Sequence, residues 1–162
     1  MSKKTLGIIL AAGRSSRLYP ATLAATKQTL PIYDKPLIYY PLSTLMLAGI
    51  KDFLVITNQE ETSVYKKLFE NSQDTLGINI TYGVQHSPKG IADAFNVAVI
   101  ALEGRHTDYD RYALILGDNI FYGAALSEML GEAAEENKAV IFASQVSDPE
   151  RFGVVEIKDD NI

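Results

Sequence analysis

The side chains able to do chemistry sit in four short polar stretches. The first, Gly13-Arg14-Ser15-Ser16-Arg17, breaks off an apolar run at 6–12. A glycine followed by two serines lets backbone amides approach an anion closely, which suits a phosphate, and Arg17 adds a planar, permanently charged fork. Lys27-Gln28 then supplies a second cation ten residues after Arg17, close enough along the chain to reach the same anion. Asp118 follows the apolar run 111–116 almost directly. A carboxylate in that place costs free energy unless it is paired, hydrated or bound to a metal. It is a hard oxygen ligand of the kind magnesium takes while keeping waters and bridging to phosphates. In Gln85-His86-Ser87-Pro88-Lys89-Gly90, Gln85 can read the edge of a base or a sugar.

Each of these has an ordinary alternative. Gly-Ser-Arg is also a surface turn, Lys27 a solvated lysine, and Asp118 or Asn119 the N-cap of a following helix. His86 reads as a plain loop histidine, and His106 is assigned nothing. The chain contains no G-x-x-x-x-G-K-[ST], no G-x-G-x-x-G and no H-E-x-x-H. It offers no serine–histidine–aspartate set and no evident proton-transfer pair. An anion cradle, two cations and a metal-suited carboxylate together fit phosphoryl or nucleotidyl transfer, where the protein mainly positions groups and offsets charge. The competing class is a module that binds a nucleotide or sugar phosphate without turnover. A nucleotide-dependent oxidoreductase is disfavoured by the missing glycine fingerprint.

Composition narrows the field further. The 162 residues are 47% hydrophobic, 22% charged and 9% aromatic, the make-up of a folded domain with a sizeable core. Cysteine is absent, which removes disulfides, zinc–thiolate sites, iron–sulfur clusters and thiol nucleophiles. No apolar run reaches membrane-spanning length and no leader pattern precedes the first one, so a cytoplasmic location is expected, with no membrane partner. Charge is uneven. Residues 1–57 hold seven basic against two acidic side chains, a net of +5, within a chain of net charge −5. A basic first third in an acidic chain suits a small polyanion. It argues against nucleic acid, since no basic cluster is interleaved with aromatics.

The elements that must position these loops follow from the apolar pattern. Short continuous apolar runs at 6–12, 52–57 and 111–116 suit strands buried on both faces. Further strands are expected at 78–82, 139–143 and 152–157. Helices are expected at about 41–48 with Gly49 as C-terminal cap, at 60–71 with Val64 and Leu68 beside Tyr65 and Phe69, at 90–102 opened by Gly90, and at 123–136. The narrow stripe Ala94, Val97, Ala98 and Ala101 is the expected buried face of the third of these. Strands alternating with helices predict an α/β sandwich, a mostly parallel sheet with helices on both faces and ligands beyond the carboxyl ends of the strands. That brings 12–20 and 117–122 together as candidate loops.

The segment LAAGRSSRLYP (10–20) resembles the signature loop of sugar-phosphate nucleotidyltransferases. TKQTLPIYDKPLIYYP (26–41), MLAGI (46–50), GDNIFYG (117–123) and DPERFGVVE (148–156) are similar to motifs of one branch, the glucose-1-phosphate thymidylyltransferases. The resemblance covers nearly the whole chain. It implies a Rossmann-like three-layer sandwich of the nucleotide-diphospho-sugar transferase type. The implied reaction is in-line attack by glucose 1-phosphate on the α-phosphorus of dTTP, giving dTDP-glucose and pyrophosphate with magnesium as cofactor.

Carried over residue by residue, the resemblance puts Gly13, Ser15 and Ser16 around the triphosphate. Arg17 and Lys27 fall on the phosphates, and Gln28, Gln85 and Gly90 by the nucleotide. Asp118 would hold magnesium, and Asn119 and Gly153 would lie toward the hexose. It also implies a homotetramer in the full-length protein. Ser15 departs from a usual glycine, its hydroxyl being expected to donate a hydrogen bond, and Asp93 stands where the branch commonly has glutamine. Branch members run to nearly twice this length. Residues 1–162 are therefore expected to be the N-terminal, nucleotide-binding part, without the later sugar-phosphate segment and second metal-binding aspartate. The polar turn at 158–161 reads as an interruption.

Overall fold

A computed structural model describes residues 3–13, 18–87 and 89–156. In chain order it contains β1 (Thr5–Leu10), a 3-10 turn (Lys27–Thr29), and the two-residue strands β2 (Pro31–Ile32) and β3 (Lys35–Pro36). There follow α1 (Tyr39–Leu47), β4 (Asp52–Thr57), α2 (Thr62–Leu68), α3 (Ser72–Leu76) and β5 (Asn79–Val84). The last elements are α4 (Asp93–Ala101), a 3-10 turn (Arg105–Asp108), β6 (Arg111–Leu116), α5 (Leu126–Glu135) and a 3-10 turn (Pro149–Arg151).

Four strands form one parallel sheet in the order β5-β4-β1-β6. The register runs from Leu6 beside Asp52 to Leu10 beside Ile56, and from Thr5 beside Arg111 to Leu10 beside Leu116. The continuous apolar runs make sense in this setting, because both faces are covered. Ile9, Ala11, Phe53 and Val55 point to one side and pack with Leu42 and Leu45 of α1, Tyr65 of α2 and Phe69 just after it. Leu6, Ile8, Leu54 and Ile56 point to the other, against Ala94, Val97 and Ala98 of α4. Side-chain alternation along a strand thus feeds two cores, and the expected three-layer α/β arrangement is what forms. Gly7 is where α1's side of the sheet is tightest: a Cβ there would lie 2.7 Å from Phe53 Cδ1 and 3.1 Å from Leu45 Cδ1.

Strands 52–57 and 111–116 and the cap at Gly49 (φ +78°) form within the expected bounds, but β6 is an edge strand that buries only Ile115 rather than a strand buried on both faces. Other expectations are corrected. The helix expected at 60–71 forms as α2, shortened to Thr62–Leu68 and followed by the separate α3, and the region buries Tyr65 and Phe69 while Val64 stays 45% exposed. The neighbouring i, i+4 stripe wins because two aromatic rings bury more apolar area than Val64 and Leu68. The fourth helix starts at Asp93, since Gly90 adopts φ +93°, incompatible with a right-handed first turn.

The helix expected at 123–136 forms as α5, shorter and with none of its residues buried. Residues 139–143 and 152–156 are not strands, and Val140, Ile141 and Phe142 are exposed. An apolar run needs a strand edge to satisfy its amides and carbonyls, and among the described residues none pairs with these. Ile157 lies outside the described residues.

Candidate functional site

Three ladders overrun their strands by one residue. Ala11 N–H donates to Ile56 O at 2.7 Å, Gly117 N–H to Leu10 O at 2.9 Å, and Gln85 N–H to Thr57 O at 2.9 Å. The segments that follow β1, β5 and β6 therefore leave the sheet side by side at its carboxyl edge, where open α/β sheets place their ligands.

Lys27 is held there by its neighbours. Thr26 Oγ1 and the Tyr65 hydroxyl lie 2.9 Å apart, and the same hydroxyl lies 3.3 Å from Gln28 Oε1, to which it donates. In the first contact either hydroxyl can donate, and Thr26 Oγ1 also lies within donating reach of Thr29 Oγ1. Ile38 N–H adds a bond to Gln28 O at 2.9 Å. Thr26, Gln28 and Tyr65 are all buried, so Lys27 projects from a turn fixed on both sides. Burial also pushes the Tyr65 phenol above its ordinary value, partly countered by the Thr26 bond.

Lys27 Nζ meets Asp118 Oδ2 at 2.6 Å, joining two residues 91 positions apart. Gly117 allows that meeting. A Cβ there would sit 3.1 Å from Ala11 Cβ, 3.3 Å from Gln28 Cγ and 3.3 Å from Leu10 O. Glycine lets the end of β6 lie against the end of β1 and the Lys27 turn. The two side chains remain 35% and 30% exposed, so the pair is open to a ligand from solvent. Asn119 follows in a turn, its N–H donating to Leu116 O at 3.2 Å.

Gln85, 8% exposed, begins the next loop. Its Nε2 donates to Asp93 Oδ2 at 3.0 Å, and Asn96 Nδ2 donates to Asp93 Oδ1 at 3.3 Å. The bond from Gln85, then that from Asn96, holds the Asp93 carboxyl below its usual range. Gly90 is exposed, in the left-handed region. Gly13 is exposed at the mouth of its loop, with nothing within 4 Å of a would-be Cβ. Ser15, Ser16 and Arg17 lie outside the described residues. Gly153 is in the exposed stretch 152–156, and no hydrogen bond among the described residues ties it to the other candidates. The structure thus brings Lys27, Gln28 and Asp118 together and sets Gln85 at the same sheet edge.

Sequence reasoning did not find Tyr65 as a support, Gly117 as a spacer or the Gln85–Asp93 contact. A signal existed for the first. A tyrosine on a buried helix face must place its hydroxyl against a polar partner. Among the described residues no cluster of three or more histidine, cysteine, aspartate or glutamate side chains could cage a metal. Asp118 alone fits the other mode, in which magnesium takes one or two carboxylates and completes its shell with phosphate and water. No helix of the described residues is long and apolar enough to cross a membrane.

A doubly covered parallel sheet with a lysine–carboxylate pair beyond its strand ends defines an α/β domain suited to handling phosphates. The model of the nucleotidyl transferase family matches residues 6–162, and the chain belongs to that family. It is 51% identical over 154 residues to a glucose-1-phosphate thymidylyltransferase of Neisseria meningitidis serogroup A, covering 94% of this chain and 51% of that protein. It is 49% identical over 154 residues to the enzyme of that name from Neisseria gonorrhoeae, with the same coverage. Among solved structures, one titled as a glucose-1-phosphate thymidylyltransferase from Bacillus anthracis in complex with sucrose superposes with a TM-score of 0.80 at 35% identity. That superposition covers 98% of this chain and 62% of the other. The chain spans about half the length of the curated relatives it matches.

Proposed function

We propose that residues 1–162 form the nucleotide-binding part of a glucose-1-phosphate thymidylyltransferase. The reaction joins a phosphate oxygen of glucose 1-phosphate to the α-phosphorus of dTTP, breaks the α–β phosphoanhydride bond, and yields dTDP-glucose and pyrophosphate. The nucleophile is already anionic, so no general base is required, in keeping with the absence of a proton-transfer pair in the sequence. The observation that carries the reading is the Lys27–Asp118 pair, 2.6 Å apart at the carboxyl edge of a parallel sheet. The similarity to proteins named thymidylyltransferases supports dTTP and glucose 1-phosphate as the substrates.

Lys27 neutralises phosphate charge from its fixed turn, and Arg17 does the same from the loop begun by Gly13, Ser15 and Ser16. Gln85 and Gly90 face the base, with Gln28 holding the Lys27 turn beneath the nucleotide. Asn119 and Gly153 lie toward the hexose. Asp118 is the residue that would hold magnesium, which supplies Lewis-acid neutralisation of the phosphates when bound. A homotetramer and a cytoplasmic location complete the proposal.

The test is pyrophosphate release from dTTP and glucose 1-phosphate by the intact natural polypeptide. Lys27→Ala and Arg17→Ala should each lower kcat by about a hundredfold or more, the scale of losing a group that offsets transition-state charge. Near-normal turnover in both would sink the assignment. The half-length coverage favours a second reading for these 162 residues taken alone, binding without turnover. Titration with dTTP that shows binding and no pyrophosphate would select it.

A further inference from the structure

We infer that Asp93 is a positioning residue that fixes the side-chain amide of Gln85 with its oxygen toward the nucleotide base, and so selects bases that present a ring N–H. The inference rests on the proposed function, which places Gln85 at the base. Its own ground is the contact between the two side chains. A free glutamine is ambidextrous, because a half-turn about its last bond exchanges a donor for an acceptor. Asp93 removes that freedom. A carboxylate can only accept, and it lies 3.0 Å from Gln85 Nε2, so the NH2 group must face it.

The carboxylate is itself braced. Asp93 is the first residue of α4, and its other oxygen accepts from Asn96 Nδ2 at 3.3 Å. Gln85 is anchored at its backbone by the 2.9 Å bond to Thr57 O, and the residue is only 8% exposed. Among the described residues nothing donates to Gln85 Oε1. An oxygen held in that direction accepts from the N3–H of thymine or uracil. It meets the N3 lone pair of cytosine as one acceptor meeting another. An amide at position 93 could both donate and accept and would leave the flip open, whereas aspartate closes it.

The consequence is a specific pattern of nucleotide use. With dTTP, dUTP and dCTP as alternative substrates of the intact polypeptide, the native protein should prefer dTTP and dUTP over dCTP. Asp93→Asn, which replaces one oxygen by an amide nitrogen and lets Gln85 turn over, should reduce the dTTP-to-dCTP ratio of kcat/KM by about tenfold, the scale of one misdirected hydrogen bond. The change should come through KM, with dCTP used better than before, and the dTTP-to-dUTP ratio should stay constant. Asp93→Ala should do the same. In a Gln85→Ala background neither substitution should alter the ratio further. A purely structural role at the start of α4 would lower the melting temperature and all three activities together, without any gain for dCTP. If the native protein does not use dTTP at all, the proposed function falls and the inference with it. If it uses dTTP and both Asp93 variants keep the native ratio, the inference alone is overturned. Asp93→Asn is nearly isosteric, so its result decides even where Asp93→Ala fails to fold.

Discussion

Phe53 and Phe142 lie in apolar runs of similar length, 52–57 and 139–143, yet the first is 1% exposed and the second 43%. The first run has strands on both sides and helices over both faces. The second pairs with no strand among the described residues, and α5 just before it buries none of its side chains. Apolar composition draws a segment out of water, but a strand also needs neighbours for its amides and carbonyls. In residues 5–116 the sheet meets both requirements. In residues 119–156 only the first is present. The candidate site stands at the border, since Asp118 is two residues past β6.

The largest expected effect tests that contrast directly. Phe53→Ala should lower the unfolding free energy by about 3–5 kcal/mol, whereas Phe142→Ala should change it by about 0.5 kcal/mol or less. Urea midpoints of the two variants measure the difference, and equal losses would erase the border drawn here. Gly7→Ala comes next, at about 1–3 kcal/mol, because its Cβ would press on Phe53 and Leu45. Most of that cost should vanish when it is combined with Phe53→Ala, which removes the ring in the way.

Smaller effects concern the tyrosines that tie the helices to the site. Tyr65→Phe keeps the ring and loses the hydroxyl between Thr26 and Gln28, for about 1–2 kcal/mol. It should also weaken dTTP binding by loosening the Lys27 turn, a loss visible by titration. Burial pushes Tyr82 up to about 12, from an ordinary 10.0. The folded state therefore keeps a proton that the unfolded chain gives up. This stabilisation is complete below pH 10 and lost as pH climbs toward 12. Tyr82→Phe should flatten the alkaline limb of the stability curve in that window and leave neutral pH untouched by it. Smallest of all, Lys27→Ala should cost about 0–1 kcal/mol in stability, because its partly exposed pair with Asp118 is screened by water. The same change should remove most turnover, so stability and activity separate at this residue.

Much of this was legible in the chain. The runs 52–57 and 111–116 match β4 and β6 residue for residue; β4 is buried on both faces, as a continuous apolar stretch implies, whereas the edge strand β6 buries only Ile115. The loops carrying Gln85 and Asp118 stood out too, since each begins at the carboxyl end of a parallel strand, where open α/β sheets place their ligands. The face chosen by α2 was not legible. Val64 with Leu68 and Tyr65 with Phe69 have the same spacing, and only the shape of the sheet beneath selects the aromatic pair. The state of 139–156 was not legible either, because local pattern reports the wish for burial and not the presence of a partner.

The sequence by itself determined the alternation of strands and helices, the basic first third, and the kinds of side chain available for phosphate chemistry. These depend on residue type and near-neighbour spacing, which the chain carries everywhere. Tertiary structure alone decided that Lys27 and Asp118 meet at 2.6 Å, that a tyrosine hydroxyl braces the turn between them, and that Gln85 is held by Asp93. Those contacts join residues 8 to 91 positions apart. They exist because three strands end side by side, a geometry set by the packing of the whole sheet.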